Sequence, residues 1–95
     1  PLLIAETGGE GCGRAAWLHY VCAEVEEALA QNVPVKGICW YPITDYHGWD
    51  DGRICPTGLF SIADEQGRRQ VHVRLASELA RQSAAFERGY SEAAE

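Results

Sequence analysis

The sequence predicts an α/β fold in which parallel strands alternate with helices. Two apolar runs carry that expectation, residues 2–5 (LLIA) and residues 33–41 (VPVKGICWY), with one segment of helical periodicity between them. The second run is apolar on both faces apart from Lys36, the pattern of a strand covered on both sides. A strand, a helix and a second such strand form a βαβ unit, which implies parallel pairing and a right-handed crossover. A further helical segment follows toward the C-terminus.

Residues 2–5 end on Glu6 and run into TGGEGCG, four glycines in seven residues. An apolar run bounded by a glycine cluster is a buried strand feeding a loop, so Glu6 falls at a strand's C-terminal end. Residues 14–31 are the clearest helix. Trp17, Val21, Val25, Ala28 and Leu29 recur at spacings of three and four, with Leu18 and Cys22 widening the stripe. Glu24, Glu26 and Glu27 lie off it as a solvated face, and Asn32 and Pro34 close the helix. The second strand stops at Pro42, which cannot donate to a ladder. Residues 44–57 are expected to form a long loop, and GLFSIA (58–63) a short strand. DEQG (64–67) makes a turn, after which residues 68–73 pair back briefly. A second helix is expected over residues 71–90, with Leu75, Leu79, Gln82 and Phe86 on one line and Ala76 and Ala80 beside them. The tail SEAAE is expected to fray.

Ninety-five residues make one small domain at most. A net charge of -6 disfavours nucleic acid and anionic membranes as partners and is compatible with a neutral ligand. No apolar run is long enough to span a bilayer, and no basic-then-apolar leader opens the chain. The opening PLLIAE begins directly with an apolar strand and reads as the interior of a longer protein. Cys12, Cys22, Cys39 and Cys55 form no C-x-x-C pair, so a zinc ribbon or dithiol redox motif is not expected. Cys22 and Cys39, in apolar runs, read as small buried residues, and reduced thiols suit a cytoplasmic protein. No cofactor is implied.

Chemistry concentrates in residues 37–52, GICWYPITDYHGWDDG. This stretch holds two of the three tryptophans and two of the four tyrosines, together with Asp45, His47, Asp50 and Asp51. Loops at the end of a rigid strand are where binding and catalysis gather. Aromatic rings stack on the C–H face of a sugar, and carboxylates accept hydrogen bonds from its hydroxyls. In a parallel sheet or barrel the C-terminal strand ends form the ligand face, so Glu6 and this loop are expected to share one pocket. A carboxylate placed there can attack an anomeric carbon, provided a second carboxyl serves as acid/base. Asp45, Asp50, Asp51 and Glu10 are the other acids near that face, and none has a motif that marks it as the proton donor. Asp50-Asp51-Gly52 also reads as a turn. His47 has no second ligand at metal-binding spacing, and His19 and His72 fall in or beside helices with no catalytic role expected.

The order I-A-E-T-G (residues 4–8), G-I-C-W-Y-P-I-T-D-Y-H-G-W (residues 37–49) and G-L-F (residues 58–60) resembles the C-terminal end of glycoside hydrolase family 1, the family of β-glucosidases. The resemblance spans roughly the whole chain. It implies the last two β/α units of a (β/α)8 TIM barrel that hydrolyses β-glycosides with retention. Glu6 then matches the nucleophile. Tyr41, with Trp40 beside it, matches the aromatic floor under the sugar, and Asp45 and Trp49 match the Asp and closing Trp of the strand-eight run. Thr7 replaces the family's Asn. Gly48 stands where the family has a Glu that grips sugar hydroxyls, and Asp50 is the nearby candidate to substitute for it. The family's Asn-Glu-Pro acid/base segment has no counterpart in these residues.

Three readings follow. The chain is part of a β-glycosidase-like barrel, with Glu6 catalytic and Trp40, Tyr41, Asp45, Trp49 and Asp50 binding substrate. Alternatively it is a carbohydrate-binding relative without catalysis, or an unrelated α/β domain whose aromatics are core. Under the first reading the partner is the remainder of the barrel or another copy, because a two-strand piece leaves sheet edges and apolar faces open.

Overall fold

The computed structural model describes residues 1–94. The elements run β1 (Leu2–Thr7), a 3-10 turn (Gly11–Gly13), α1 (Arg14–Ala30), β2 (Val35–Trp40), β3 (Tyr46–His47), β4 (Ile54–Cys55) and α2 (Val73–Ala94). The architecture is α/β, with a parallel pair and two helices. β1 pairs with β2 in parallel, Leu3 opposite Gly37, Ile4 opposite Ile38 and Thr7 opposite Trp40. The pairing is closed at both ends by backbone bonds, Leu2 N–H to the Pro34 carbonyl at 2.8 Å and Tyr41 N–H to the Thr7 carbonyl at 2.9 Å.

α1 starts directly behind the glycine loop and ends at Ala30, two residues before Asn32, whose φ of 64° is the left-handed conformation that terminates helices. The Val33 N–H then bonds back to the Ala28 carbonyl at 3.0 Å. The buried side of α1 is Arg14, Leu18, Cys22 and Val25. That stripe is rotated from the one the aromatic spacing predicts. Trp17 is half exposed because its ring stacks on Tyr20, with centroids 5.6 Å apart, and its indole N–H is drawn to the Thr7 hydroxyl at 2.8 Å.

Leu18, Cys22 and Leu75 form the core, with Ile38, Trp40, Leu59, Leu79 and Phe86 packed around them. α2 therefore closes the core through the line of residues that its sequence predicts. It starts at Val73 rather than 71 because Val71 is still bridged to Phe60, and it carries helix through Ala94 where fraying was expected. Glu95 lies outside the described residues.

Three further expectations are corrected. Residues 44–57 are not loop throughout: Tyr46 pairs with Cys55 and His47 with Ile54 in an antiparallel hairpin. Residues 58–63 form no strand beyond a bridge at Phe60, because the Leu59 and Phe60 amides both donate to the single Ile43 carbonyl. Cys39 is exposed rather than buried, and so are Leu3, Ala5 and Lys36. Both helices pack against one face of the two-strand sheet and leave the other face without a cover.

Between the helices lies a nearly buried carboxylate. Glu78 is 3% exposed and joins His19 Nδ1 of α1 at 2.9 Å, Gln82 Nε2 at 2.8 Å and the Arg81 guanidinium. Burial pushes its pKa up, but the hydrogen bonds from Gln82 and His19 and the charge of Arg81 outweigh that and hold it below the ordinary value. Burial, and behind it the charges of Glu78 and Glu26, raises the Cys22 thiol. Among the described residues no helix is long and apolar enough to cross a membrane.

Two outcomes are expected. Leu75, fully buried at the junction of the helices, should cost about 3 kcal/mol of unfolding free energy when cut to Ala, measured by urea denaturation. A carboxyl whose folded pKa is depressed stabilises above its unfolded pKa, near 4.3, and the contribution is lost as pH falls through the folded value. Stability measured from pH 6 down to pH 3 should therefore decline at the acid end, and Glu78→Gln should flatten that decline.

Candidate functional site

The site is built at the C-terminal ends of β1 and β2. β1 delivers Glu6, and the chain then turns through Gly8 and Gly9. A Cβ at Gly8 would run into the carbonyl oxygen of Tyr41, so only glycine lets the two strand ends approach this closely. β2 delivers Trp40 and Tyr41, and the hairpin β3–β4 stands beyond them.

Two adjoining depressions open here. The smaller, about 320 Å³, is lined by Glu6, Glu10, Tyr41, Tyr46 and Thr57. The larger is a groove of about 840 Å³ walled by Trp40, Tyr41, Tyr46, His47, Trp49 and Cys55. Tyr41, Pro42 and Tyr46 line both, so the depressions adjoin along these residues. Glu6 is exposed and has no hydrogen-bond or ion-pair partner among the described residues. Glu10, by contrast, is tied to the hairpin by Arg53 at 3.0 Å, which raises the Arg53 pKa further.

The structure thus brings Glu6, Trp40, Tyr41 and Trp49 to one end of the sheet. Trp40 is anchored, its indole N–H donating to the Thr57 carbonyl at 3.1 Å. Asp45 lines neither depression. Its Oδ1 accepts the Gly58 N–H at 2.7 Å and faces the Arg14 guanidinium at 3.5 Å, so that oxygen is engaged within the chain. Asp50 is exposed at the hairpin tip and lines neither depression. Beside Gly48 the nearest carboxylate is Asp51, whose Oδ1 lies 3.0 Å from where a Cβ would sit and accepts the Arg53 N–H.

Arg14 is the support that sequence reasoning missed. It is 8% exposed, donates from Nε to the Gly11 carbonyl at 2.8 Å and from NH1 to the Gly58 carbonyl at 2.7 Å, and pairs with Asp45. Gly58 is forced by crowding: a Cβ there would lie 2.6 Å from the Thr44 Cα. The signal was present. Counting back four from Leu18 on the true stripe lands on Arg14, and a cation on a buried stripe calls for a buried anion.

Tyr46, one of the aromatic groups expected to bind polar ligands in this loop, stands on the wall shared by both depressions. The neighbouring Cys55 sulfur, then desolvation and the Glu10 charge, hold its hydroxyl above the ordinary phenol value. It is therefore a neutral donor and acceptor at physiological pH. His72 lies behind the site with Nε2 buried and unpartnered among the described residues. Burial and the nearby Arg14 charge lower its pKa, and Asp45 offsets them in part. Among the described residues no group of three or more His, Cys, Asp or Glu side chains is placed to hold a metal ion.

No protein-family model matches the chain, and no curated protein is significantly similar to it.

Removing Arg14 leaves a buried carboxylate and a buried carbonyl without their partner. Arg14→Ala should cost about 3 kcal/mol or more by chemical denaturation. Arg14→Lys should recover only part of this, because an ammonium cannot serve Gly11, Gly58 and Asp45 with one planar fork.

Proposed function

We propose that this chain is part of a retaining β-glycosidase-like domain, contributing two β/α units of an eight-stranded barrel. In this reading Glu6 is the nucleophile and Trp40, Tyr41 and Trp49 make the sugar-binding wall. The observation that carries it is the placement of Glu6. Its carboxylate, without a protein partner among the described residues, shares a depression with Tyr41 and Tyr46 at the C-terminal ends of two parallel strands. A nucleophilic carboxylate must be open to substrate, and rings beside it bind the sugar's apolar face.

The remainder of the barrel, or another copy, is the partner this reading requires. The exposed Leu2 and Leu3 on β1 support that role for the bare sheet. The proposed location is the cytoplasm, in keeping with four free thiols.

The second reading is a non-catalytic carbohydrate-binding relative. It is favoured by the engagement of Glu10 with Arg53 and of Asp45 with Arg14, which leaves no second carboxyl among the described residues at hand to act as acid/base beside Glu6. In a barrel assembled with this segment, Glu6→Gln should lower hydrolysis of an aryl β-glucoside by roughly 10³-fold or more, the scale on which loss of a nucleophile acts. Sugar binding, followed by tryptophan fluorescence, should persist. Unchanged turnover in the variant would rule out Glu6 as nucleophile. Sugar binding with no turnover in either form would select the non-catalytic reading.

A further inference from the structure

We infer that the cavity between α1, β2 and α2 is a second ligand site, which takes a small aromatic carboxylate with its ring inside and its acid group at Lys36. The inference stands apart from the carbohydrate reading. The cavity lies between the helices and the sheet and shares only Trp40 with the groove at the strand ends.

The first ground is size and lining. The cavity holds about 210 Å³, and all its walls belong to this chain, so no neighbouring segment is needed to form it. An apolar cavity of roughly 150 Å³ stays dry and accepts benzene. The larger volume here suits one ring with a short side arm. Val25, Leu29, Ile38, Trp40, Leu79 and Phe86 are among its walls, and all of these except Val25 are only partly buried. Apolar walls left partly covered gain free energy when an apolar occupant removes them from water.

The second ground is the choice of head group. Three polar side chains line the cavity, Cys22, Lys36 and Gln82. Cys22 is uncharged, because burial raises its thiol. Gln82 already gives an amide N–H to Glu78 Oε1 at 2.8 Å. That leaves Lys36, the chain's one lysine, which is exposed and has no ion pair among the described residues.

The third ground is the charge around it. Among the described residues no carboxylate lines the cavity. Glu78, behind Gln82, is matched already by Arg81 and His19. The net charge of -6 is spread over the chain, and beyond about 8 Å it is screened at physiological salt. A ligand anion therefore meets one unmatched cation. A ligand cation would be repelled by it, and a bare hydrocarbon would leave it unused.

The experiment titrates the isotope-labelled 95-residue chain with phenylpropionate, phenylpropanamide and phenylpropylamine, followed by backbone amide NMR shifts. The acid is expected to bind about fivefold more tightly than the amide, the scale of an ion pair at a solvent-exposed cation. The amine should bind most weakly. Shifts should centre on Val25, Leu29, Leu79 and Phe86 and spare Tyr46, His47 and Trp49. Lys36→Gln, a change at an exposed side chain, should bring the acid down to the affinity of the amide and leave the amide's own affinity unchanged. Equal binding of acid and amide, an unchanged acid affinity in the variant, or shifts centred on Tyr46 and Trp49 would each overturn the inference. So would the absence of saturation by about 10 mM acid. Cavity shifts that vary with protein concentration before any acid is added would assign the cavity to a second copy of the chain and overturn it as well.

Discussion

A guanidinium withdrawn from water is tolerated only where anions and carbonyls replace its hydration. Arg14 meets that condition with Asp45, the Gly58 carbonyl and the Gly11 carbonyl, and in doing so it ties three separate stretches of chain to the first turn of α1. Those stretches are otherwise joined by scattered backbone bonds, such as Gly11 N–H to the Pro56 carbonyl at 2.9 Å and Asp45 N–H to the Phe60 carbonyl at 2.8 Å. Between Pro42 and Val73 regular pairing is limited to the two-residue strands β3 and β4 and to bridges at Phe60. Gly58 spends its N–H on Asp45 and its carbonyl on Arg14, so the return of the hairpin is fixed at both backbone groups. The aromatic groove stands on this clamp, although none of its walls is part of it.

The legible parts of the fold were those with a long period. β1, α1 and β2 follow from two apolar runs and a helical repeat, and α2 from a line of four residues a turn apart. The short hairpin was not legible, because two residues per strand are too few to show alternation, and its turn residues also suit an open loop. The rotation of α1 was obscured by Trp17. Its size suggested burial, but its indole N–H needs an acceptor and found one at the strand end in Thr7. Cys39 was misplaced because an apolar strand implies two covered faces, and this chain covers one. For the site, the strand-end placement of Glu6 and the aromatic loop could be read directly. Which carboxylates face outward could not, since that depends on Arg14 and Arg53, which lie far in sequence from the acids they hold.

The two faces of the small sheet divide its physical roles. One packs Ile38 and Trp40 against α1 and α2 and supplies the core. The other carries Leu3, Ala5 and Cys39 in the open. A parallel pair with an uncovered apolar face and two free edges is an incomplete layer, and parallel sheets are ordinarily buried on both sides. Stability here therefore leans on the contact between the helices, where Leu75 is sealed and Glu78 joins His19 across the gap.

The contact of Gly8 with the Tyr41 carbonyl has a consequence for how such a site drifts over evolutionary time. The offset between the Glu6 carboxylate and the first ring of the groove is set where main chain meets main chain, with no side chain interposed. Substitutions elsewhere in the core can accumulate, and can weaken the fold, without altering that offset. Keeping that spacing falls on position 8 alone, where any side chain would meet the Tyr41 carbonyl oxygen, while the residues that line the groove take no part in setting it.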